Sequence, residues 1–173
     1  MTDDTRAMSV TGLLATGFAV TGDSVEKIDA DFSALAGVSG YGVYELGANG
    51  GVKRLAGRNA DKQFAIGSTF KLYILAELAG EIVSEQRKWS DVAPLSHHSF
   101  SSQATNRWPP NSPATLHSLA TWMISVSDNS ATDTLLFLLG REAVEAKLAM
   151  IGHGDPDKTL PFLSTVEAFT LKS

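Results

Sequence analysis

Apolar residues are spaced differently in successive stretches of the chain, and the spacing predicts which stretches are helices and which are strands. Between Ser24 and Leu35, the residues Val25, Ile28, Phe32 and Leu35 recur at intervals of three and four. Asp23 or Ser24 can cap that helix and Gly37 can end it. Val38 to Leu46 and Val52 to Ala56 are strand-like segments on either side of Gly47-Ala48-Asn49-Gly50-Gly51. An Asn-Gly between two such runs predicts a β-hairpin. Thr69 to Val83 carries Leu72, Leu75, Leu78, Ala79 and Ile82, the spacing of a buried helix. Ser90 to Pro113 holds four of the six prolines and a serine-rich run, and is read as a loop. Thr115 is placed to cap a helix reaching about Val126, with Leu116, Leu119, Ala120, Met123 and Ile124 as its apolar face. Asn129 to Leu139 and Glu142 to Met150 predict two more helices around Gly140-Arg141. The run from Gly152 to Pro156 breaks the pattern, and Thr165 to Lys172 starts a last helix.

The predicted order is thus a helix, a hairpin, then mostly helices, with no internal repeat. A two-stranded hairpin is marginal alone and wants further strands beside it. No later segment reads as one. The expectation is an α/β (α+β) fold in which residues 23–173 form the N-terminal part of a domain and the remainder of its antiparallel sheet is missing. Residues 1–22 read as a linker or the tail of an upstream segment. Their apolar stretch from Leu13 to Val20 is interrupted by Gly and Thr and preceded by Asp3 and Asp4, a poor export signal, which favours a cytoplasmic location.

Composition narrows the function by exclusion. The 173 residues carry a net charge of −5, and Lys53, Arg54 and Arg58, the densest basic group, fall on the predicted hairpin. Nucleic-acid binding is therefore not expected. No stretch reaches the roughly 18 apolar residues of a membrane span. The chain has no cysteine, which removes disulfides, thiolate metal sites and a cysteine nucleophile. His97-His98 lie in the serine-rich loop, and His117 and His153 lack ligand-spaced partners. Neither a metal nor a cofactor is expected.

Ser68-Thr69-Phe70-Lys71 places a hydroxyl and an amine three residues apart at the start of the long apolar helix, on one face. A serine hydroxyl becomes a good nucleophile when a neighbouring base takes its proton. A lysine can be that base once burial lowers its pKa. The pattern arises by chance about once in a chain of this length, and a second copy, Ser24-Val25-Glu26-Lys27, sits on a helix expected to be solvated. Ser127-Asp128-Asn129, in a short turn between two apolar helices, is far rarer by chance. Ser-x-x-Lys with Ser-Asp-Asn and Lys-Thr-Gly is the signature set of β-lactamases and penicillin-binding proteins.

The segment Phe64 to Lys71 resembles the nucleophile segment of class A serine β-lactamases, and Met123 to Asp133 resembles their second motif with its flanks. The separation of 59 residues between Ser68 and Ser127 and the hairpin before them also fit that family of penicillin-recognising serine hydrolases. The resemblance implies that Ser68 is the acylated nucleophile and Lys71 its base. Ser127 would relay a proton to the leaving group, Asn129 would hydrogen-bond the substrate amide, and Thr69 would lie beside it at the substrate. Asp128 would anchor the turn, and the Ser68 N–H would serve as one oxyanion donor. The implied substrate is a small molecule, a β-lactam or a related ester or amide. The habit of the family's β-lactam-acting members implies export, the alternative to the cytoplasmic location favoured by the N-terminus.

Two departures qualify this. No Lys-Thr-Gly is present: Lys158-Thr159 is followed by Leu160 and comes too early, and a C-terminal half or a partner chain is expected to supply the missing sheet. The deacylating glutamate of class A enzymes has only Glu167 as a candidate, and Ser164 to Phe169 resembles instead the helix start that follows that loop. Glu167 is favoured as a helix surface residue. The alternatives are an esterase with weak β-lactamase activity, a β-lactam sensor, or a non-catalytic fragment. Trp108 is read as a packed loop anchor.

Overall fold

The computed structural model describes residues 22–64, 67–99 and 102–171. The apolar stretch from Leu13 to Val20 lies outside these. The chain divides into two compact units, one up to Phe64 and the other from Ala65 onward.

In the first unit, helix α1 (Gly22–Ser33) precedes an antiparallel hairpin of β1 (Tyr41–Leu46) and β2 (Val52–Arg58). The register pairs Tyr41 with Arg58 and Leu46 with Val52, with a bulge between Val43 and Tyr44. Asn49 accepts from the Gly51 N–H, and Gly50 takes φ 78, the left-handed conformation this turn needs. Strand β1 begins later than its composition suggests because the residues before it are tied to side chains. The Ser39 carbonyl accepts from Asn59 Nδ2 at 2.8 Å, and its hydroxyl donates to the Phe32 carbonyl at 2.9 Å. At the far end β2 runs on to Arg58, whose guanidinium meets both Asp29 carboxylate oxygens at 2.7 and 2.9 Å. Phe32 packs on Tyr41, their ring centres 4.9 Å apart. The basic residues of the hairpin are thus largely paired, Arg58 with Asp29 and Arg54 with Asp61. Lys27 of the second Ser-x-x-Lys is exposed and paired with Asp31 on the same helix.

The second unit opens with a 3-10 turn (Gly67–Phe70) leading into α2 (Lys71–Val83). It continues with β3 (Val92–Pro94), β4 (Pro113–Thr115), α3 (Leu116–Ser125), α4 (Asn129–Leu139) and α5 (Arg141–Met150). A second 3-10 turn (Pro156–Thr159) and α6 (Thr165–Thr170) follow. Helix α4 is central and packs against α2, α3, α5 and α6. It is buried almost all round, as its near-continuous run of apolar and small residues requires. Ile74 and Leu78 from α2, Leu119 and Met123 from α3, Leu135 and Leu136 from α4, and Val144 and Leu148 from α5 meet in one core. Leu95 and Phe162 close it from the connecting segments.

The helix limits follow their caps. Thr115 accepts from the Ser118 N–H at the start of α3, and Gly140, at φ 92, separates α4 from α5. Ser164 and Glu167 form a reciprocal capping box on α6.

The stretch from Ser90 to Pro113 is not wholly loop. Its ends form a short antiparallel sheet in which Val92 pairs with Thr115 and Pro94 with Pro113. Three-residue strands that each contain a proline leave no alternation to read. This sheet is separate from the hairpin, and among the described residues no further strand joins β1 and β2. Trp108 packs edge-on against Trp122 at 5.0 Å and anchors the loop between them. Lys158 and Thr159 lie in a 3-10 turn, not a strand, with Lys158 paired to Asp155. Among the described residues no helix is long and apolar enough to cross a membrane, and no cluster of His, Asp or Glu is arranged to hold a metal.

Candidate active site

Lys71 opens α2 and is 1% exposed, among the largest fully buried side chains of the described residues. Its Nζ donates to the Ser127 carbonyl at 2.7 Å, the Ser127 hydroxyl at 2.9 Å and Asn129 Oδ1 at 2.7 Å. These acceptors match the three donors of an ammonium. Burial pulls its pKa from the ordinary 10.5 down to about 8, against the opposing pull of the Asp128 and Asp133 charges.

Ser127 sits in the turn between α3 and α4 at φ 56, a left-handed conformation that costs a non-glycine residue roughly 1–2 kcal/mol. With that backbone, its carbonyl and its hydroxyl both meet Lys71. The turn is held from several sides. The Asp128 N–H donates to the Trp122 carbonyl at 3.0 Å. The fully buried Asp128 carboxylate accepts from the Ala104 N–H, the Thr105 N–H, the Thr105 hydroxyl and the Ala131 N–H, each at 2.9 Å. Ser130 is locked to the same loop: its N–H donates to Ser102 Oγ at 2.9 Å, and its Oγ accepts from the Ser99 N–H at 2.8 Å. Asp128 therefore serves α4 as cap and the 104–105 backbone as acceptor at once.

Ser68 and Thr69 lie in the 3-10 turn just before Lys71, and both are exposed. Gly67, at φ 50, lets the chain turn into that helix. Lys71, Ser127 and Asn129 are brought together, whereas no hydrogen bond links Ser68 or Thr69 to them.

Glu167 belongs to a different cluster. Both its oxygens accept from Arg141 Nη2 at 2.9 Å, and it also accepts from the Ser164 N–H at 2.7 Å. Arg141, first, and the Ser164 backbone hold its carboxyl down at about 2. A carboxylate so engaged is a weak base. Glu167 caps α6 and ties it to α5.

Sequence reasoning gave no role to Asp133, which is 1% exposed and accepts from the Thr165 N–H and Thr165 Oγ1, both at 2.7 Å. The available signal was its position four residues after Asn129, an acid on the same face of an apolar helix.

An α+β unit with a buried Ser-x-x-Lys lysine bound to a Ser-Asp-Asn turn is the arrangement of penicillin-recognising serine hydrolases. The sequence model of the β-lactamase enzyme family matches residues 23–164, and the chain belongs to that family. Solved structures share its fold. A β-lactamase from Sphaerobacter thermophilus DSM 20745 is 24% identical with a TM-score of 0.60, covering 79% of this chain and 51% of its own. A β-lactamase from Chitinophaga pinensis DSM 2588 is 17% identical with a TM-score of 0.60, covering 84% and 60%. A variant of PBP-A, solved as an acyl-enzyme complex with penicillin G, is 20% identical with a TM-score of 0.57, covering 76% and 53%. The chain thus spans between half and three fifths of the length of these structures. No curated protein matches it.

Proposed function

We propose that this protein is a serine hydrolase that forms an acyl-enzyme on Ser68 with a β-lactam or a related ester. The observation that carries the reading is the buried Lys71, with a pKa near 8 and bonded to Ser127 Oγ and Asn129 Oδ1. In its neutral form Lys71 takes the Ser68 proton as Oγ attacks the substrate carbonyl carbon. The Ser68 N–H is one donor to the oxyanion that forms. As the tetrahedral intermediate collapses, the C–N or C–O bond breaks. Ser127 Oγ gives its proton to the leaving atom and is reprotonated by the Lys71 ammonium. Asn129, held by Lys71, offers its Nδ2 to the substrate amide, and Thr69 lies beside Ser68 at the substrate.

We read Glu167, paired with Arg141, as a helix cap and not as the deacylating base. With no other base assigned, slow release of the acyl group is expected, so esters or a long-lived adduct are favoured over rapid β-lactam turnover. The sequence holds no Lys-Thr-Gly, and we propose that a further segment or a partner chain supplies that strand and the second oxyanion donor. Loss of one such donor costs about 10²–10³ in turnover.

A second reading, a non-catalytic binding or sensor module, is favoured by one observation. All three donors of Lys71 go to Ser127 and Asn129, and none to Ser68. Intact-mass spectrometry after incubation with penicillin G separates the two. A mass increase equal to the intact penicillin, absent in Ser68→Ala, supports acylation. A folded chain with no adduct sinks catalysis by this polypeptide alone and leaves the binding module. Nitrocefin against a chromogenic ester then tells β-lactamase from esterase.

A further inference from the structure

Among the described residues the fully charged side chains that are buried are Lys71, Asp128 and Asp133, one cation and two anions. None of them forms an ion pair: Lys71 is bonded to neutral oxygens, and both carboxylates are bonded only to N–H and O–H groups. A buried charge is tolerated when other charges or dipoles nearby offset it. Asn129 and Asp133 stand four residues apart on α4, one turn from each other on one face, and Asn129 is bonded to Lys71. Asp133 therefore lies one helical turn from the residue that holds the lysine. Its other contacts fix the start of α6, since Thr165 N, Thr165 Oγ1 and Val166 N all donate to it, the last at 3.3 Å.

We infer that Asp133 is a positioning residue with two tasks, clamping the start of α6 onto α4 and supplying a second fixed negative charge to the Lys71 ammonium. The inference deepens the acylation proposed above, in which the population of neutral Lys71 sets the rate. Asp128 is the other anion acting on Lys71. The remaining ion pairs on the helices packed around it are internally matched: Glu77 of α2 with Lys147 of α5, Glu81 of α2 with Arg87, and Arg141 of α5 with Glu167 of α6. Removing Asp133 leaves burial opposed by one anion where there had been two.

The test is a direct titration of the Lys71 side chain by NMR, its Cε and Nζ resonances assigned through bonds, in the wild type and in Asp133→Asn. Asparagine keeps an oxygen for the Thr165 N–H and offers an amide to Thr165 Oγ1, so the clamp largely survives while the charge is lost. The expected result is a midpoint lowered by about one pH unit, about the effect of one charge across roughly 10 Å at an effective dielectric constant of about 20. An unchanged midpoint overturns the inference. Asp133→Ser, which also lacks the charge, is read the same way should circular dichroism show that the asparagine variant does not fold. Thr165→Val, which removes the hydroxyl bond of the clamp and keeps the charge, should lower the melting temperature and leave the midpoint in place. Because the readout does not require acylation, a moved midpoint without a penicillin adduct would sink the proposed function alone. Where the adduct forms, its rate at pH 7 should rise about fivefold in Asp133→Asn, as neutral Lys71 goes from about a tenth to about half of the population.

Discussion

Asp128 is where stability and the site depend on the same atoms, and replacing it separates the structural account from mere resemblance. Each carboxylate oxygen accepts two bonds: Oδ2 from the Ala104 and Thr105 N–H groups, Oδ1 from the Thr105 hydroxyl and the Ala131 N–H. Hydrogen bonds to a charged group contribute about 1.5–3 kcal/mol each. Asp128→Ala does not lose their full sum, because the Thr105 hydroxyl can turn to another acceptor and water can enter the space. Leaving the remaining buried donors unsatisfied costs about 1–3 kcal/mol apiece, and a loss of about 3–5 kcal/mol is expected. Asp128→Asn keeps one acceptor oxygen, best placed on the Ala104 and Thr105 N–H groups, and sets its amide against the Ala131 N–H. Its expected cost is about 1–3 kcal/mol. Urea unfolding followed by the fluorescence of Trp108 and Trp122, which flank this turn, measures both. At a slope near 2 kcal/mol/M, the alanine midpoint should fall by about 2 M and the asparagine midpoint by about half as much. An alanine variant within about 0.3 M of the wild type would refute the claim that this carboxylate holds the Ser127 turn.

The acylation rate should climb about tenfold from pH 7 to pH 9 and level off, because neutral Lys71 grows through its pKa of about 8; a flat profile rules out Lys71 as the base. Since that pKa lies below the unfolded value of 10.5, Lys71 disfavours folding below pH 8, and the penalty is relieved between about 8 and 10.5. Urea midpoints of wild type against Lys71→Met across that range should converge as the pH rises. Glu167, depressed from 4.5 to about 2, stabilises the fold above pH 4.5, and its contribution disappears as the pH falls toward 2. Glu167→Gln should flatten the acid limb of the stability curve and leave the lifetime of the penicillin adduct unchanged; a longer-lived adduct would restore a deacylating role to this residue. Leu135→Ala, in the fully buried centre of α4, should cost about 2–5 kcal/mol by thermal or urea unfolding.

The sequence by itself determined the helices, the hairpin and most of their limits. The period of apolar residues marks α2 to α5, and the Asn-Gly turn marks the hairpin, because these patterns are local properties of a helix face or a tight turn. Thr115 was legible as a helix cap for the same reason. The motif residues were legible as a set through their types and order. The structure alone decided what these groups touch. Lys71 meets Ser127 and Asn129 from more than fifty residues away, and helix periodicity carries no information about which face of another helix lies opposite. The pairing of β3 with β4 escaped the pattern because each strand is three residues long and contains a proline. The partner of Glu167 was equally hidden: only the packing of α5 beside α6 brings Arg141 to it and lowers its basicity. The charge balance around Lys71 is likewise a tertiary property. Asp133 reads as an ordinary polar residue along the chain and Asp128 as an anchor of its turn, and both acquire their effect on Lys71 when the core closes and excludes water from all three charges.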